Sequence, residues 1–280
     1  MICDKNGVQT ISEAAQDVKK DMEYQNIVSF LEKKFQSSFV GELIPGIVHN
    51  FANPLNGIMG RSKLLQRKLA EILKKLDAGK DASHLEDNKK LVNDVESIAR
   101  EADRLSHMLQ YVTGKFCAIS DKTIQKINLS DLVELEMKFF DFYLEFKHSI
   151  KKTVSLEREL PMVKGIPADY SLALSALIIH SMEVSKESTS KEFYISTQFE
   201  NGHICIKIQD RGEPISDDQR KYIFEESQAA PSSLDAGRVG ELGCAFALLK
   251  KCGARIEINK ESHWNTIAVF IPPSHEAKAV

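Results

Sequence analysis

The sequence predicts an antiparallel helical hairpin, closed by association into a dimeric four-helix bundle, followed by an α+β sandwich. Three observations carry that expectation. Apolar residues recur every three or four positions from Val28 to Leu76, and again from Leu91 to Val112, as amphipathic helices require. A polar turn, Asp77-Ala78-Gly79-Lys80-Asp81, separates the two runs. Beyond Gly114 the pattern becomes helical stretches mixed with short alternating ones, the mark of helices packed on antiparallel strands.

At 280 residues the chain is about two domains long. Its 42% apolar content supports a sizeable core, and a net charge of −3 argues against a nucleic-acid protein that works by neutralising phosphates. Five cysteines (Cys3, Cys117, Cys205, Cys244, Cys252) show neither a CxxC pair nor metal-ligand spacing. That usage suits a reducing compartment, so a cytoplasmic location is expected. The most apolar window, Leu172 to Ile179, is far short of the ~20 residues a membrane span needs. Asp4, Lys5 and Glu13 interrupt any signal-peptide core.

Thr10-Ile11-Ser12-Glu13 has capping-box spacing and predicts the start of a short N-terminal helix. One long rod is then expected, its stripe formed by Val28, Leu31, Phe35, Phe39, Leu43, Ile47, Phe51, Leu55, Ile58, Leu65, Leu69, Ile72 and Leu76, with Ser62 filling one place. Pro45 and Pro54 fall inside it and should bend it without ending it. The second seam runs Leu91, Val95, Ile98, Ala102, Leu105, Leu109 and Val112. A lone hairpin leaves apolar surface exposed, so two copies are expected to pair as a homodimer; folding of the hairpin onto its own C-terminal domain is the alternative.

In the second half, helices are expected over Leu129–Phe146 and Tyr170–Val184 and around Cys244–Lys251, the Tyr170 helix apolar nearly all round and therefore buried. Strands are expected over Thr153–Leu160, Phe193–Thr197, Ile204–Ile208, Arg255–Ile258 and Thr266–Ile271, with Asn201-Gly202 turning the central hairpin. The aromatic cluster Phe139, Phe140, Phe142, Tyr143 and Phe146 reads as core. The domain expectation is a 1–24 extension, a helical hairpin over 25–118 and an α+β domain over 124–274.

The most informative segment is His49-Asn50-Phe51-Ala52-Asn53-Pro54-Leu55-Asn56-Gly57-Ile58. His49 lies between stripe residues Ile47 and Phe51, which places its imidazole beside the seam and in water. An exposed imidazole is a nucleophile available for phosphorylation, although most surface histidines do nothing of the kind.

These residues, in this order, resemble the two-component histidine kinases over roughly residues 25 to 273. Residues 48 to 58 look like the dimerisation and phosphoacceptor box, which implies His49 as the phosphorylated residue. By the same resemblance residues 128 to 273 look like the ATP-binding catalytic domain. Asp169 to Ser185 stands in place of the N box, and Asp210-Arg211-Gly212-Glu213-Pro214-Ile215 in place of the first glycine box. Ile223-Phe224-Glu225 matches the F box, and Gly237 through Ala247 the second glycine box.

The resemblance implies ATP and Mg²⁺ as cofactors, a nucleotide site at His180, Asp210, Gly212, Gly240 and Gly243, and Asp210 bonded to the adenine amino group. It also implies Asn53 as a residue able to position a water for dephosphorylation. The implied partner is the receiver domain of a response regulator, docking on a face that includes Phe51, Asn53 and Leu55.

Four departures bear on one reaction. Asn50 stands where the family has an acidic general base, and it cannot accept a proton near neutral pH. His180 stands where an asparagine would hold Mg²⁺, a hard cation that prefers oxygen, and Ala176 replaces that asparagine's partner. Pro214 replaces the last glycine of its box. Glu241 would repel a triphosphate. The identity of any metal ligand is left open. His180 also reads as a core histidine, and Asp210 with Gly212 as a plain strand-to-turn connection.

Two functions follow. The first is a kinase that transfers the ATP γ-phosphoryl to His49 and then to a regulator aspartate. The second is an ATP-independent histidine phosphotransferase or docking pseudokinase whose nucleotide site has decayed.

Overall fold

The computed structural model describes residues 5–38, 43–77, 85–226 and 236–274. Three long helices come first: α1 (Lys5–Ser38), α2 (Ile44–Asp77) and α3 (Leu85–Ser120). The remainder alternates: β1 (Gln125–Ile127), α4 (Leu129–Phe140), α5 (Leu144–Ser149), β2 (Lys151–Leu156), β3 (Val163–Gly165), α6 (Pro167–Lys186), β4 (Glu192–Glu200), β5 (His203–Asp210), α7 (Asp217–Glu226), α8 (Ala236–Lys251), β6 (Arg255–Glu261) and β7 (Trp264–Ile271). The expected fold class is borne out: a helical region precedes a domain of helices on a mixed sheet. The chain divides into two units, residues 41–114 and residues 1–40 together with 115–280.

In the first unit α2 and α3 run antiparallel. Gly57 lies beside Glu101, while Lys68 further along α2 bonds Asp94 at 2.7 Å. Pro45 does not interrupt the helix as expected; it sits in the first turn of α2, where a missing N–H costs no helical bond. Pro54 is the interior proline. The expected turn over 78–81 lies outside the described residues. Among the side chains described between Ile44 and Gly114, which leave out those of Leu73, Leu76 and Leu85, no Val, Ile, Leu, Met or Phe is fully buried. Leu55 is 44% exposed and Val95 52%.

The larger unit is built on a five-stranded sheet ordered β2-β4-β5-β7-β6, parallel only between β2 and β4. A small antiparallel pair, β1 with β3, escaped the sequence reading because three-residue strands carry no periodicity. Asn201 and Gly202 both adopt positive φ (50° and 78°), the conformation a two-residue hairpin turn needs. The helix expected over Leu129–Phe146 is two helices. Asn128 caps the first through the amides of Ser130 and Asp131, and a turn at 141–143 ends it. Phe139, Phe140, Phe142, Tyr143 and Phe146 are all buried, with ring centroids such as those of Phe139 and Phe142 6.3 Å apart.

The larger departure concerns α1, which is helical from Lys5, so Thr10 lies inside it and does not open it. Val28, Leu31 and Phe35, expected to share one seam with Leu65 and Leu69, are instead buried, together with Ile27, in the unit that holds the sheet. The reason lies in α6, whose side chains are buried on nearly every face. One side of α6 contacts β4 and β5, and α1 covers another, packing on α6 and α8. Polar contacts flank this apolar strip: Tyr24 Oη donates to Asp169 Oδ1 at 2.7 Å, Lys34 pairs with Glu241 at 3.2 Å, and Lys122 pairs with Glu32 at 3.2 Å.

Beneath Phe35 lies an ion pair with no solvent exposure at all. Lys115, near the end of α3, donates to both Glu136 oxygens at 2.7 Å and to the hydroxyls of Ser171 and Ser175 at 2.7 and 2.5 Å. Its ammonium lies 5.0 Å from the centre of the Phe35 ring and 5.9 Å from that of Phe139. Dehydration lowers the ammonium's pKa, and the Glu136 charge pulls it back upward. Burying an apolar side chain of α1 gains about 1.5–3 kcal/mol, while dehydrating each ion costs several kcal/mol before its partner compensates. The two effects are of one order and opposite in sign.

Candidate functional site

The phosphoacceptor segment lies on α2. His49 is exposed, and no hydrogen bond or ion pair links it to another described residue. Asn50 points the other way: it is buried, and its Nδ2 donates to the Gly46 carbonyl at 2.8 Å. Its amide is thereby turned to its own helix. Asn53 is exposed one turn after His49, beside exposed Leu55 and half-buried Phe51. Pro54, lacking an N–H, leaves the Asn50 carbonyl without its usual helical donor.

The second candidate site lies where β5 ends. Asp210 is buried there, and its Oδ1 accepts from the Gly212 amide at 3.0 Å and from Asn265 Nδ2 at 2.8 Å. Asn265 also donates to the Gly212 carbonyl, and Ser188 Oγ to that of Arg211. Gly212 presses on α6 so closely that a Cβ would come within 2.4 Å of the Val184 carbonyl carbon and oxygen. No side chain fits at that position. Across β7, Thr266 Oγ1 accepts from Gln209 Nε2 at 2.9 Å.

The cavity bounded by His180, Asp210, Pro214, Ile215, Asn265 and Thr266 holds about 20 Å³, room for one water and far too little for a purine. Neither Gly240 nor Gly243 lines it. Gly240 adopts φ 71° and ψ −175° and breaks α8, a conformation glycine alone takes readily, while Gly243 is buried. Glu241, expected to repel phosphate, is offset by Lys34 of α1. The side chains of Ile223, Phe224, Glu225 and Gly237 lie outside the described residues.

His180 is half-buried. Dehydration lowers its pKa, and Asp210 and Glu241 oppose that shift more weakly. A neutral imidazole at His180 and a methyl at Ala176 supply no hard oxygen donor, so these positions do not fit Mg²⁺. Among the described residues no cluster of three His, Cys, Asp or Glu side chains is arranged to hold a metal. Of the five expected nucleotide-site residues, the fold brings His180 and Asp210 to one small cavity, bonds Gly212 to Asp210 beside it, and leaves Gly240 and Gly243 off its lining.

The sequence reading missed three participants: Asn265, which satisfies Asp210; Tyr24, which reaches Asp169; and the buried pair of Lys115 with Glu136. Asn265 stands opposite Asp210 in the β5–β7 register, a relation only the sheet reveals. No described helix is long and apolar enough to cross a membrane.

A lowered His180 pKa has a definite consequence for stability. The unfolded chain binds this proton more readily than the fold does, so stability falls as pH drops below about 6.5. Urea unfolding at pH 7.5 and 5.5 should show His180→Gln losing less stability on acidification than the parent; equal losses would contradict this assignment.

No family model matches the sequence, and no curated protein does. Solved structures similar to it include Acinetobacter baumannii histidine kinase AdeS, 15% identical, covering 81% of this chain and 98% of that one at a TM-score of 0.41. Histidine kinase ThkA in complex with response regulator protein TrrA is 15% identical and covers 94% of this chain and 68% of that one, at 0.44. A bacterial phosphotransferase is also 15% identical, covering 81% of this chain and 93% of that one at 0.38.

Proposed function

We propose that this chain is a two-component phosphotransfer protein built on the histidine-kinase plan, carrying phosphate on His49 without using ATP. One contrast supports the reading: the phosphoacceptor side of α2 is exposed, whereas the described residues around Asp210 leave only a small cavity. His49 stands exposed with no competing partner among the described residues. Asp210, the residue that would read adenine, spends an oxygen on Gly212 and Asn265 beside a cavity of about 20 Å³.

The chemistry asks little of the protein. With a receiver's aspartyl phosphate brought against α2, the lone pair of a His49 ring nitrogen attacks phosphorus, a P–N bond forms and the P–O bond to the aspartate breaks. The aspartate leaves as carboxylate, and the reverse step returns phosphate to a receiver. Positioning supplies most of the rate in such transfers. Asn50 offers no base, so the proton on the other ring nitrogen is left to solvent. Asn53, exposed one turn away, is the residue able to order a water against the visiting phosphate.

The hairpin requires a second copy. From α2 through residue 114 the unit leaves apolar side chains such as Leu55, Met59, Val95 and Leu109 exposed, and a four-helix bundle with a second hairpin covers them. Size-exclusion chromatography with light scattering should give a dimer for the parent chain and a monomer for Leu55→Glu with Val95→Glu. A monomeric parent would remove this part of the account.

A kinase reading draws on Asp210, Gly212 and the positive-φ Gly240, which keep their places in sequence. Titration with a fluorescent adenine nucleotide separates the two. The proposed function expects no saturation up to millimolar nucleotide, with or without Mg²⁺. Micromolar, Mg²⁺-dependent binding that Asp210→Ala abolishes would establish the kinase instead.

A further inference from the structure

We infer that the second half of α1 is a displaceable strap, docked over the buried Lys115–Glu136 pair and able to leave it as a regulated event. The inference does not depend on whether His49 carries phosphate. Its ground is the surface α1 covers. An amphipathic helix normally seals an apolar face, and α1 does so with Ile27, Val28 and Leu31. Phe35 does something else: its ring closes over an ammonium, completing a wall with Phe139 around Lys115, Glu136, Ser171 and Ser175.

When α1 is docked, the pair is dry. When α1 lifts, water reaches Lys115 and the cost of dehydrating the pair is recovered. Docking of α1 is thus favoured by apolar burial and opposed by ion dehydration, the balance from which a two-state element is made. Among the described residues α1 is also held by the Tyr24 hydroxyl on Asp169, by the Lys251 ammonium over the Tyr24 ring, and by two partly exposed ion pairs, Lys34 with Glu241 and Glu32 with Lys122. Exposed pairs of that kind hold little.

The place of the strap in the chain gives the device its use. Only residues 39–43 separate Ser38, the last residue of α1, from α2, which carries His49. The buried cation itself belongs to α3, the other helix of the hairpin. Both helices of the phosphoacceptor hairpin are therefore covalently continuous with groups that change surroundings when α1 docks or leaves.

Hydrogen exchange on the full chain tests this. In the parent, amides of residues 24–36 should exchange at least a hundredfold faster than those of β4 and β5, since they open without global unfolding. Replacing the ions by apolar groups, Lys115→Met with Glu136→Leu, removes the opposing cost and should slow exchange in 24–36 at least tenfold. Leu31→Glu should release α1 to near-unprotected exchange while β4 and β5 stay protected. Parent amides in 24–36 as slow as β4 and β5, or a double variant that leaves them unchanged, would overturn the strap. Should the double variant lose protection in β4 and β5, Leu31→Glu decides: joint loss of α1 and strand protection makes α1 an integral part of the fold.

Discussion

A single ammonium buried among four helices organises the larger unit. Lys115 comes from α3, its carboxylate partner from α4, its two hydroxyls from α6 and its aromatic cover from α1. A charge removed from water tolerates little displacement of its partners, because each lost contact leaves an uncompensated ion. The pair consequently fixes the last turns of α3 on α4 and α6. It also makes the cover supplied by α1 different in kind from ordinary apolar packing. The sheet is held by the pairing of β4, β5 and β7 in register, with their Ile and Val rows buried and α6 packed on β4 and β5.

The two candidate sites differ in how their polar groups are employed. At the end of β5, Asp210, Gly212, Asn265 and Ser188 bond one another, and Gly212 is held against α6 so tightly that its lack of a side chain is already explained by packing. Asp210 and Gly212, which look like part of a nucleotide fingerprint, thus have structural contacts of their own. On α2 the reverse holds. Asn50 is absorbed by its own helix, whereas His49 and Asn53 face solvent beside an apolar surface that the hairpin cannot cover by itself. The open chemistry is the imidazole's.

Much of this was legible in the residues, and the failures have physical causes. The β4–β5 hairpin was readable because Asn201-Gly202 dictates its turn locally. The apolar face of α1 was readable too, but periodicity states which face is greasy and not what covers it. Val28, Leu31 and Phe35 therefore looked like the beginning of the seam that α2 continues. Lys115 stands one residue before Phe116, where the alternating four-and-three seam would continue, so it reads as a flanking lysine; only Glu136, distant in sequence, makes it the centre of a core. Asn265 was invisible for a similar reason, since its partnership with Asp210 depends on the pairing of β5 with β7.

The central claim is that His49 alone carries phosphate and needs no nucleotide to do so. Incubation of the full chain with phosphoramidate, followed by ³¹P NMR and peptide mapping, tests it most directly. The account predicts one phosphohistidine, mapped to His49, absent from His49→Ala and unchanged in yield by ATP with Mg²⁺. Phosphate retained by His49→Ala, or acquired by the parent only when ATP is present, would contradict it.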